Sequence, residues 1–118
     1  MFDKIIEQVQ AKLERNLTLD RNANYSTDDQ MLVNLFLGLV LEASEVANEF
    51  HKCKTVEQYL QTRNIANTEE EMGDVFFYWL ALSIKLGLDP NKIVKRNIEK
   101  LDERYLKMLE KLSGSDNI

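Results

Sequence analysis

Apolar residues return at helical spacing in five stretches of the chain, and the intervals between those stretches are short and polar. Phe2, Ile5, Ile6, Val9 and Leu13 lie on one side of a helix predicted over residues 2–15, which the polar stretch 16–26 then interrupts. Ser26 or Thr27 is placed to cap a second helix, with Asp28 and Asp29 in its first turn, running to about Lys52. Thr55 and Gln58 have the spacing of a capping box for a short helix through Arg63, whose apolar side is Val56, Tyr59 and Leu60. Asn67 or Thr68 is placed to cap a fourth helix to about Leu86, where Gly87 suits the left-handed position that ends it. Asp89 and Pro90 open a last helix to about Leu112, followed by a polar, flexible tail at 113–118.

Two of these stretches are apolar on every side. Residues 75–82 turn large side chains in all directions around the helix, and residues 35–41 nearly do so. A chain of four or five helices has few positions with neighbours all round. The pattern therefore predicts an all-α helical bundle completed by oligomerisation, a dimer or a tetramer.

Composition narrows this further. A chain of 118 residues suits one domain, 1–118, and four Gly with one Pro fit a helical chain better than a loop-rich one. The net charge of -5 argues against nucleic acid or anionic lipid as the main partner. Cys53 is the single cysteine, so no intrachain disulfide forms, and a reducing, cytoplasmic setting is expected. The first residues mix charge with apolar positions unlike a signal peptide, and the apolar stretches fall short of the roughly 20 residues that span a bilayer. No membrane partner is expected.

The chemistry concentrates in acids. Glu42 and Glu45 are three residues apart on the second helix, and Glu71 and Asp74 are three apart on the fourth, so each pair projects from one face. Most glutamates on helices are solvated surface acids, usually with Lys or Arg three or four positions away, as Glu103 has in Lys100 and Lys107. None of the four has such a partner: their neighbours at those spacings are apolar, neutral or acidic. Carboxylates gathered beside an apolar block repel one another, and a divalent cation relieves that repulsion. Oxygen-only ligands select a hard ion, Mg²⁺ first and Mn²⁺ as a substitute. His51 is the single histidine and suits the end of the second helix; with no Glu-x-x-His repeat, a di-iron bundle is disfavoured. Thr68 and Glu71 also have capping-box spacing, which would occupy Glu71 in starting the helix.

With the stretches GLVLEASEVANEF, EEEMGDVFFYWLALSIKLGLDP and NIEKLDERY, the chain from about 35 to 105 resembles the MazG-like all-α nucleoside triphosphate pyrophosphohydrolases, relatives of the dimeric dUTPases and the dCTP pyrophosphatases. The resemblance implies hydrolysis between the α and β phosphates of a nucleoside triphosphate, giving a monophosphate and pyrophosphate. It also implies that Glu42, Glu45, Glu71 and Asp74 are the magnesium ligands and catalytic acids. Glu49, one turn further along the same face, is a candidate base. Asn97, Lys100 and Arg104 share one face of the last helix and are candidate phosphate-binding residues, against the alternative of a solvated face tied to Glu99, Asp102 and Glu103. Tyr78 and Trp79 are expected in the core sooner than against a base. The chain departs from the family pattern at Leu41, where many members carry a further Glu, and at Ser44, often Gly. Two other classes remain open on the residues alone: a non-catalytic helical interaction protein, and a helical metal-binding protein without hydrolytic activity.

Overall fold

The computed structural model describes residues 1–23 and 28–116, with the side chains of 16–23 and 115–116 outside the description. Among the described residues the chain is all-α: α1 (Asp3–Ala23), α2 (Asp28–His51), α3 (Val56–Thr62), α4 (Ile65–Lys85) and α5 (Pro90–Asp116). The expected caps at Ser26 and Thr27 lie outside the described residues.

Three boundaries differ from those expected. Helix α1 continues through the polar stretch to Ala23, because polarity without Gly or Pro does not break a helix. Helix α4 starts three residues early: Asn64, not Asn67 or Thr68, is the cap, and its side chain accepts from the Asn67 N–H at 3.1 Å. Asn67 and Thr68 are thereby free to point elsewhere, and Glu71 is not part of a capping box. Helix α5 passes Leu112 and ends at Asp116, since a single Gly114 weakens a helix without stopping it.

The other punctuation follows the sequence. Thr55 caps α3 by accepting from the Gln58 N–H at 3.0 Å, while Gln58 reaches back to the Lys54 N–H at 2.9 Å. Gly87 takes φ +73°, and the Gly87 and Leu88 N–H groups bond to the Ile84 and Ser83 carbonyls, closing α4 with a Schellman motif. Asp89 then accepts from the Asn91 N–H at 3.0 Å, with Pro90 in the first turn of α5.

The core lies where α1 and α2 pack on α4. Val9 and Leu13 from α1, Met31 and Leu35 from α2, and Leu80, Ala81 and Leu82 from α4 form one buried cluster, flanked by Phe77, Tyr78 and Trp79. Trp79 stacks on Phe76, and Phe2 closes over both; the start of α1 is pinned to α5 by Asn91, which takes the Phe2 N–H and donates to Asp3. Tyr78 and Trp79 are thus half-buried side chains packed against the core.

Much apolar surface is left uncovered. Residues 95–114 of α5 are all exposed, and along them Ile98, Leu101, Tyr105, Met108 and Leu112 repeat at alternating spacings of three and four. On α2, Val33, Phe36, Leu37, Val40 and Leu41 form a second exposed apolar stripe. The radius of gyration is 19.8 Å, well above the roughly 13–14 Å of a compact chain of this length. By length and composition alone α2 is also long and apolar enough to cross a membrane. Its second half nonetheless carries Glu42, Glu45 and Glu49.

Candidate active site: carboxylates between two helices

A glycine lets α2 and α4 come together. A Cβ on buried Gly38 would stand 2.1 Å from the Tyr78 ring, so only a hydrogen fits between that ring and the α2 backbone. One turn further from this contact, in opposite directions along the two helices, stand Glu42 and Asp74; then Glu45 and Glu71; then Glu49 and Asn67. The two pairs expected from the sequence are therefore brought together from separate helices.

Their electrostatics show the crowding. The Glu42 carboxyl is pushed above its ordinary value, first by loss of water and then by the charges of Glu45, Asp74 and Glu71 and a hydrogen bond with Glu45. Glu71 is likewise raised, by loss of water first and then by Glu49 and Glu45. The Oε2 atoms of Glu42 and of Glu71 are both buried with no hydrogen-bond partner. No Lys or Arg among the described residues lies within ion-pair distance of the four acids; the Lys85–Asp28 bridge, at 2.6 Å, sits at the far end of the two helices.

Glu49 is held differently. Its Oε2 lies 2.7 Å from the Thr68 hydroxyl, and its Oε1 accepts from the Asn67 side-chain amide. The same amide nitrogen is 3.4 Å from Glu71 Oε1. The Thr68 bond is the main reason that the Glu49 carboxyl falls below its ordinary range, with Asn67, Glu71 and Lys52 adding to it. In the sequence Asn67 and Thr68 suggest only caps. The available signal was their place one turn before Glu71, on its face of the helix.

The donor set fits a hard dication: only carboxylate oxygens, two of them buried without a donor. Among the described residues no three Asp, Glu, His or Cys side chains are gathered tightly enough to hold an ion as they stand. Ligation therefore calls for rotation about glutamate side-chain torsions, which have several staggered wells.

The other expected residues lie elsewhere. Asn97, Lys100 and Arg104 are exposed on α5 and contribute nothing to the surroundings of Glu42, Glu49 or Glu71 within the chain. His51 ends α2, and Cys53 lies 3.9 Å from the Thr62 hydroxyl. Leu41 and Ser44 line an open groove of about 390 Å³ on α2 with Glu45, Ala47, Asn48 and His51, and the Ser44 hydroxyl bonds back to the Val40 carbonyl.

Acids from two antiparallel helices thus meet at the edge of an all-α core. The sequence matches the dUTPase family over residues 3–115, and the chain belongs to that family. No curated protein and no solved structure gave a match. The family places the chain among nucleotide hydrolases.

Proposed function

We propose that the protein is a MazG-like, Mg²⁺-dependent nucleoside triphosphate pyrophosphohydrolase that cuts between the α and β phosphates, with Mn²⁺ as a substitute ion. The observation that carries this reading is the pair of buried, unpartnered carboxylate oxygens on Glu42 and Glu71, in side chains crowded by Glu45 and Asp74 and by Glu49 and Glu45 respectively. Glu42, Glu45, Glu71 and Asp74 would hold the ion. Bound Mg²⁺ supplies charge neutralisation for the phosphates and a more acidic water. The chain's own contribution is to fix the four acids on two helices and to exclude water from two of their oxygens. Asn97, Lys100 and Arg104 would meet the phosphate oxygens, where a fixed cation favours a triphosphate over an uncharged ligand.

The working unit in this reading is a homo-oligomer in the cytoplasm. Side chains spaced by three and four along α5 suit a second helix crossing at a shallow angle, and the stripe on α2 adds to that surface. That exposed surface also favours a second reading, a non-catalytic protein that assembles through its helices.

One assay separates the two. The chain is incubated with Mg²⁺ or Mn²⁺ and a panel of canonical and modified triphosphates, dUTP first because of the family's name, with pyrophosphate detected apart from orthophosphate. Metal-dependent pyrophosphate release is expected. Assembly without turnover of any triphosphate would leave only the second reading.

A further inference from the structure

The turn of α4 that was expected to cap the helix reaches instead across to α2. Asn67 carries two amide hydrogens on one nitrogen, and that nitrogen is within reach of both Glu49 Oε1 and Glu71 Oε1, two carboxyls that also hydrogen-bond each other directly. The Thr68 hydroxyl takes the remaining oxygen of Glu49 at 2.7 Å, so both oxygens of that side chain are held. Glu71 is divided: its Oε1 is within reach of the Asn67 amide, and its Oε2 is buried without a partner. An amide and a hydroxyl from adjacent residues thus engage both oxygens of Glu49 and one oxygen of Glu71.

We propose that Asn67 and Thr68 are positioning residues, which act through Glu49 to hold Glu71 with Oε2 presented to the cation site. This rests on the reading of the four acids as the metal site. Groups that orient a ligating carboxylate without touching the ion set its affinity, and their removal typically costs about 10–100-fold in metal binding or activity. Glu49 then has a structural duty toward Glu71. Each of its oxygens accepts a hydrogen bond from that turn of α4.

The test is Mg²⁺ binding to the full chain, followed calorimetrically without nucleotide, together with kcat and KM for the triphosphate found above. Thr68→Val keeps the shape and removes the hydroxyl; Asn67→Ala removes the bridging amide; Asn64 still caps the helix in both. Each is expected to weaken Mg²⁺ binding about 10–100-fold with helix content unchanged, and Thr68→Ser is expected to restore it. Unchanged Mg²⁺ binding in Thr68→Val and Asn67→Ala, or a Thr68→Ser variant as weak as Thr68→Val, overturns the proposal. Glu49→Gln adds a second reading of the same question. Weaker metal binding supports a positioning role, and a fall in kcat with metal binding intact overturns it. Glu42→Gln is the reference: if it binds Mg²⁺ like the unaltered chain, the metal site itself is wrong, and the failure is separate from that of Asn67 and Thr68.

Discussion

The two ends of the α2–α4 pair are built from opposite materials. At one end Met31 and Leu35 meet Leu80, Ala81 and Leu82, and the nearby charges, Asp28 and Lys85, pair across the helices. At the other, past Gly38 and Tyr78, the facing positions are acids with no basic partner among the described residues. Both belong to the same two helices in the same register. The first end gains stability from burial; the second gives stability up to hold like charges together, which is the usual mark of a site kept for a ligand.

The largest effect is expected at the apolar end. Leu80 is fully buried, and Leu80→Ala should cost about 2–5 kcal/mol in urea or thermal unfolding, with the activity per folded molecule nearly unchanged. Next, Glu42→Gln or Asp74→Asn should lower pyrophosphate release by about a hundredfold or more, while the metal-free protein keeps its helix content and unfolds at an equal or higher temperature. Full activity in both variants would erase the contrast between the two ends.

A smaller effect is expected from pH. Glu42 and Glu71 hold their protons to higher pH in the folded chain than in the unfolded one, so the folded state binds more protons. Stability of the metal-free protein should then fall as pH rises from the usual glutamate value of 4.5 through their raised values. Glu49 acts in the opposite sense and in a lower window: its contribution is present above 4.5 and is lost as pH falls through its lowered value. Thermal melts across pH should show the decline above 4.5, and saturating Mg²⁺ should flatten it. The smallest effect belongs to the paired charges: Lys85→Ala should cost less than about 1 kcal/mol, and less again in high salt, because Asp28 is largely exposed.

How much of this was readable in the sequence depends on whether a feature is local. The spacing of Glu42 with Glu45 and of Glu71 with Asp74, the cap at Thr55 and the left-handed Gly87 all rest on neighbours within a turn, and all appear in the structure. The start of α4 was misplaced because Asn64, Asn67 and Thr68 are all good caps, and only a contact from α2 decides which are left over. That Glu49 meets Thr68 follows from the register of one helix against another. The register is fixed at Gly38 by Tyr78, a contact between residues far apart in the chain that no periodicity reveals. Asn97, Lys100 and Arg104 do share the helix expected for them, yet a common face says nothing of what that face meets.

The absent side chain at Gly38 bears on which ion the proposed site would prefer. Mg²⁺ needs oxygens at about 2.0–2.1 Å, whereas Ca²⁺ accepts about 2.3–2.6 Å and more ligands. If the four acids hold the ion as proposed, an uncharged residue one turn from Glu42 acts as a calliper that sets how near the two helices bring their oxygens. Gly38→Ala, which must push the Tyr78 ring aside, is expected to part the helices and move the preference from the smaller ion toward the larger, with every ligand still in place.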